Sequence, residues 1–148
     1  MKIVLQRVSR AMVDVRDETV GEIADGLVLL LAIGVGDDEK KADKMIEKIL
    51  KLKIFSDGVD SDSFMQKSVV DVGGAVLVVS QFTLYGDTDK GTKPSFTQSA
   101  PPDQARELYE YFVKKMREIG VRTETGEFGE HMELNLVNDG PVTLILEN

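Results

Sequence analysis

The stretch LVLLLAIGV, residues 27–35, carries no charged or hydrogen-bonding side chain at any position. A strand with one face in water alternates apolar and polar residues. An unbroken apolar run instead suits a central strand covered on both faces. AVLVV at residues 75–79, launched by Gly73 and Gly74, repeats the pattern. At least two layers must pack on a sheet containing these strands, and only two segments have helical periodicity. The expectation is a mixed α/β fold, with sheet packed on sheet and helices covering one outer face. A chain of 148 residues is too short for a doubly wound sheet and fits one domain spanning residues 1–148.

Before the first run, residues 2–8 and 12–15 alternate or run apolar, separated by Ser9, Arg10 and Ala11. Arg16, Asp17, Glu18 and Thr19 then turn the chain into residues 20–24, so three short strands open the sequence. After it, Gly36, Asp37 and Asp38 supply a helix N-cap, and Ala42, Met45, Ile46, Ile49 and Leu50 recur at helical spacing to about Lys53. The outer face of that helix interleaves Lys40, Lys41, Lys44, Lys48 and Lys51 with Asp43 and Glu47. The ordinary reading is a solvated face with i,i+4 ion pairs, and the alternative is an RNA surface. Residues 56–63 form a polar loop with Asp57, Asp60 and Asp62, but it lacks the central glycine and terminal glutamate of a calcium loop, and no metal is read there.

A second helix begins at Pro101, Pro102 and Asp103 and stops at Gly120. Its stripe Ala105, Leu108, Tyr109, Phe112, Met116 and Ile119 faces the core. Residues 121–125 and 132–137 read as paired strands around a turn holding Gly126 and Gly129, and residues 142–146 close the chain.

Composition narrows the function. Cysteine is absent, which excludes disulfides, thiolate nucleophiles and cysteine metal sites and makes an intracellular, cytoplasmic location the expectation. The start of the chain lacks the apolar core of a secretory signal, and the longest apolar run is too short to span a bilayer. A net charge of −8 opposes generic nucleic-acid binding, so any RNA must be held locally. The loop of residues 87–94, with Lys90 and Lys93, is the candidate, although two loop lysines are ordinarily solvated charge.

Two stretches carry polar groups that rigid elements would position. Ser80, Gln81, Phe82 and Thr83 follow the buried run at 75–79, where hydroxyl and amide groups either bind a ligand or cap the strand end. NDGPVT at residues 138–143 lies between Met132, Leu134, Leu136 and Val142, Leu144, Leu146, and reads as a turn between two strands. Asp139 and Gly140 can make that turn with Pro141 starting an edge strand. Alternatively, a Gly-Pro bond held in one isomer is a rigid tool with directed carbonyls. His131, the only histidine, has no second histidine or cysteine to share a metal, and no Ser-His-Asp arrangement, Walker loop or GxGxxG sequence is present. An enzyme built from these groups acts on an already activated substrate by positioning and oriented donors.

Taken together, SQFTL at 80–84 and NDGPVT at 138–143 resemble the signature of the D-aminoacyl-tRNA deacylases. The likeness extends through QRV, the run GLVLLLAIGVGD, KILKLKIF, VVSQFTLYG, KGTKPSF, LYEYFV and TGEFG, and covers nearly the whole chain. A related animal group carries PQATL in place of SQFTL, so Ser80 and Phe82 place this chain with the D-specific group. Two departures stand out: Glu130 and His131 where the family commonly begins with alanine, and Thr92 and Lys93 where it has arginines.

The resemblance implies a three-layer α/β/β sandwich of short mixed and antiparallel strands with two main helices on one face. It implies hydrolysis of the ester between a D-amino acid, or glycine, and the terminal ribose of tRNA, without metal or other cofactor. The implied catalytic group is Ser80, Gln81, Phe82 and Thr83. The implied chiral selector is Gly140 and Pro141 in cis, with Met132, Asn138 and Thr143 beside the substrate and Lys90 and Lys93 toward the RNA. It further implies a homodimer in which the Gly-Pro peptide of one subunit enters the pocket of the other. A non-catalytic nucleic-acid-binding module on the same fold is the alternative.

Overall fold

The computed structural model describes residues 1–58 and 65–148. Asp60 and Asp62, on which the question of a calcium loop turned, lie outside the described residues.

β1 (Lys2–Val15) is one continuous strand where the sequence suggested two. Ser9 and Arg10 are its exposed positions, and the register against β6 (Glu133–Glu147) shifts on either side of Val8. The break in alternation therefore marks a bend and not an end. Arg16 and Asp17, at φ 53° and 64°, form the tight left-handed turn into β2 (Glu18–Ile23). The bend lets one edge of β1 serve two partners: residues 2–8 pair with β3 (Gly26–Ala32) and residues 11–15 with β2. β6 runs antiparallel along the other edge for nearly the full length.

β3 is the central strand the unbroken run predicts. It lies antiparallel to β1 and parallel to β4 (Ala75–Ser80). Its side chains divide between two cores. Leu27, Leu29 and Leu31 pack with Ile3, Leu5, Met45, Ile49, Phe112 and Met116 beneath the helices. Val28 joins Val8, Ala11, Val13, Ile23, Leu77 and Val79 on the opposite face, enclosed where the sheet folds over itself. Two dry faces explain why no polar residue interrupts the run.

α1 (Glu39–Lys51) and α2 (Pro102–Glu118) are the crossovers that parallel neighbours need. Asp38 caps α1 by accepting from the Lys41 N–H at 2.9 Å. Gly120, at φ 92°, ends α2 as a glycine in the left-handed region does. The crossover through α2 also corrects a pairing. β5 (Thr123–Thr125) adds to β4 in parallel, and the strand at 132–137 is the first part of β6, paired with β1. The sheet order is β2-β1-β3-β4-β5, with β6 on β1. Among the described residues, no helix is long and apolar enough to cross a membrane.

The lysine face of α1 carries two of the expected i,i+4 pairs. Lys51 pairs with Glu47, and Lys41 reaches back to Asp37 at 3.0 Å. Lys40, Lys44 and Lys48 have no carboxylate partner among the described residues, while Asp43 accepts from the Tyr111 hydroxyl at 2.9 Å and Glu47 pairs with Lys51.

Candidate active site

β4 delivers Ser80 half-buried at its end, and the chain then tightens into a 3-10 turn, Phe82–Tyr85. The Gln81 N–H donates to the Leu31 carbonyl at 2.8 Å, so the central strand anchors the start of the turn. The Gln81 side-chain amide donates to the Thr83 hydroxyl oxygen. Phe82 is 57% exposed with its ring edge-on to Phe96 at 5.1 Å, and its carbonyl accepts from Ser99 Oγ at 3.1 Å. The Tyr85 ring fills the space that the missing Cβ of Gly34 leaves. Burial first, then the nearby Asp37 and Glu147 carboxylates, push its phenol up to about 12, so Tyr85 is neutral packing at physiological pH. These contacts fix a strand end whose polar groups stay open to solvent.

The second stretch is not a turn. β6 passes through NDGPVT without reversing, a correction to the hairpin reading. On β6, Asn138 pairs with Val8 and Thr143 with Gln6, so residues 139–142 form a wide bulge opposite Arg7 alone. Proline's missing donor accounts for the wide opening of the ladder at this position. The Gly140-Pro141 peptide is cis.

Arg7 fills the bulge. Its Nε lies 2.9 Å from Asp139 Oδ2 and 3.1 Å from the Asp139 carbonyl oxygen, while Nη1 donates to the Ile54 carbonyl. Gly140 sits at φ 123°, and a Cβ there would lie 3.0 Å from Val142 Cγ2 and 3.1 Å from Arg7 Nη2. Its own chain therefore demands glycine, before any ligand does. Thr143 Oγ1 accepts from Gln6 Nε2 at 3.4 Å, and Met132 lies over Gly126, where a Cβ would collide with its sulfur. Lys90 and Lys93 are exposed in the loop closed by the Asp87 and Ser95 bridge, and His131 is exposed.

One chain does not bring the two stretches together. Ser80 is level with Leu31 and Ile3, whereas the bulge faces Arg7, four residues further along β1 and three strand spacings across. That is about 13 Å along the strands and about 14 Å across them.

The family model described as D-Tyr-tRNA(Tyr) deacylase matches residues 4–147. The chain belongs to this family. A D-aminoacyl-tRNA deacylase of Koribacter versatilis is 53% identical over 148 residues, covering 100% of this chain and 97% of that one. The D-aminoacyl-tRNA deacylase of Thermosipho africanus is 49% identical with the same coverage. A solved structure titled c-Myc DNA Unwinding Element Binding Protein superposes with a TM-score of 0.91 at 39% identity, covering 100% and 99% of the two chains. Another, of a probable eukaryotic D-amino acid tRNA deacylase, shares the fold with a TM-score of 0.81 at 18% identity, covering 98% and 97%.

In this deacylase family member, residues outside the two motifs hold both stretches in place. Arg7 is buried on the same side of β1 as Ile3 and Leu5, and a charge on an apolar stripe is a signal that alternation makes visible. Gly34, Phe96 and Ser99 left no comparable signal, because they meet the strand end only through tertiary contacts.

Proposed function

We propose that this chain hydrolyses the ester between a D-amino acid, or glycine, and the terminal ribose of tRNA, in a pocket completed by a second copy of itself. The observation that carries this reading is that the family match over residues 4–147 contains both the SQFT strand end and the Gly-Pro bulge. An aminoacyl ester is activated by its ammonium group and the neighbouring ribose hydroxyl, so the protein needs no strong base. Water attacks the carbonyl carbon, the ester C–O bond breaks, and the ribose oxygen takes the proton. Ser80, Gln81 and the Phe82 N–H orient the ester and its developing oxyanion. A thousandfold gain from such donors requires only about 4 kcal/mol.

The separation of the bulge from the strand end within one chain supports the dimer. Another copy can set its bulge against this chain's Ser80 and Thr83, and it would cover Ile145, 77% exposed on β6. With the Gly140 and Pro141 carbonyls aimed at the amino group and α-carbon, an L side chain meets backbone, while hydrogen or a D side chain passes. Selectivity then comes by rejection, so many D-amino acids are accepted. The 148 residues act as one cytoplasmic domain.

The test is release of amino acid from matched D- and L-tyrosyl-tRNA. Release from the D form alone is expected, and equal release from both, or none from either, would sink the reading. The neighbour titled as a DNA unwinding element binding protein favours a second reading, nucleic-acid binding without catalysis. Tight binding of duplex DNA at moderate salt without esterase activity would favour it.

A further inference from the structure

The outer face of α1 is built beyond what a solvated helix requires. Ala42, Met45, Ile46 and Ile49 bury one side. Asp43 and Glu47 turn toward the groove shared with α2, which Lys115 and Ile119 also line. Lys40, Lys44 and Lys48 recur every four residues on the side away from the core, none of them with a carboxylate partner among the described residues. Each step rises about 6 Å along the helix, so the row presents three unneutralised ammonium groups over about 12 Å.

The row starts on the edge of the sheet that holds the strand end. β3 and β4 are parallel, so the segment leading into α1 and the SQFT stretch leave the same ends of adjacent strands. The Val35 N–H donates to the Gln98 carbonyl at 3.0 Å, tying the base of the Lys90 and Lys93 loop to the residues just before α1. Lys2 lies 4.9 Å over the Tyr85 ring on the same edge. Carboxylates lie on this edge too, but Asp37 is paired with Met1 and Lys41, Glu147 with Lys2, and Asp38 caps the helix. A second group lies elsewhere. Asp14, Asp17, Glu18, Glu130 and Glu133 surround the β1–β2 turn, at the end of β1 remote from Lys2, with Arg16 bridging to Glu130 at 2.8 Å. A polyanion is therefore repelled at the β1–β2 end of this acidic molecule, and beside the site the unpaired lysine row is what it can engage.

We propose that Lys40, Lys44 and Lys48 form a phosphate track on which the double-helical stem next to the esterified end of tRNA lies while that end occupies the site. The proposal rests on the deacylase reading above. Ammonium point charges on flexible stems suit backbone phosphates and read no sequence, so the track serves many tRNAs alike.

The test compares the wild-type chain with the triple variant Lys40→Gln, Lys44→Gln, Lys48→Gln, since glutamine preserves helix propensity. The substrates are D-tyrosyl-tRNA and D-tyrosyl-adenosine, which lacks the stem. For the tRNA, KM is expected to rise about tenfold and the log–log salt dependence to weaken by about 2 to 3. The turnover number and the rate on D-tyrosyl-adenosine stay unchanged. Equal KM and equal salt slope for the two proteins would overturn the track. So would an unchanged slope accompanied by lost binding to phosphatidylglycerol vesicles, which assigns the row to a membrane surface. If the wild type cleaves neither substrate, the deacylase reading has failed. Binding of uncharged tRNA then decides the track by the same change in slope, and equal slopes reject it.

Discussion

The Thr83 hydroxyl accepts a hydrogen bond from the Gln81 amide, and among the described residues no carboxylate, amine or imidazole reaches it. An oxygen that is accepting from an amide and has no base to take its proton is a poor nucleophile. Thr83→Ala is therefore expected to keep single-turnover deacylation of D-tyrosyl-tRNA within about tenfold of wild type, since general-base assistance is worth about a hundredfold or more where it operates. Complete loss in a folded variant would restore a covalent mechanism. Residue identity made the strand end and Gly140 stand out in the sequence. It did not tell that Arg7 also constrains Gly140, because Arg7 lies 133 positions away in the chain.

At the scale of an element, the entry to α1 is held by Asp37, whose side chain is 2% exposed. It meets the Met1 ammonium at 2.7 Å, the Gly34 N–H at 2.7 Å and Lys41 Nζ at 3.0 Å. Burial, the largest single influence, pushes its carboxyl up, but hydrogen bonds from Met1, Gly34 and Lys41 outweigh it and hold it below the ordinary 3.8. A carboxyl depressed in the folded state stabilises above its unfolded value, and that contribution disappears as pH falls through the folded value. Asp37→Asn is expected to cost about 3 kcal/mol at pH 7 in urea denaturation, because a buried ammonium loses its counter-charge. The difference from wild type shrinks below the ordinary carboxylate range, and a difference independent of pH would refute this account. The helix and its cap were readable from local pattern, whereas the Met1 contact depends on β1 and β3 lying side by side.

At the scale of the molecule, the distance between the strand end and the bulge within one chain makes complementation the decisive measurement. Gln81→Ala disables the strand end and Gly140→Ala the bulge, each within its own chain. If the sites are shared between copies, a refolded equal mixture contains mixed dimers with one doubly altered and one intact site. About a quarter of wild-type activity then returns, since half the dimers are mixed and half their sites are intact. No recovery would place each site within a single chain.

The sequence by itself determined the central strand, both helices and the two polar stretches, because periodicity and turn chemistry act over a few residues. It misread β1 as two strands and NDGPVT as a hairpin, since a bend or a bulge and a chain reversal share the same breaking residues. Only tertiary structure decided those cases. Pairing with a long neighbouring strand keeps the chain extended through Ser9 and through Pro141, and a buried arginine occupies the gap that the proline opens.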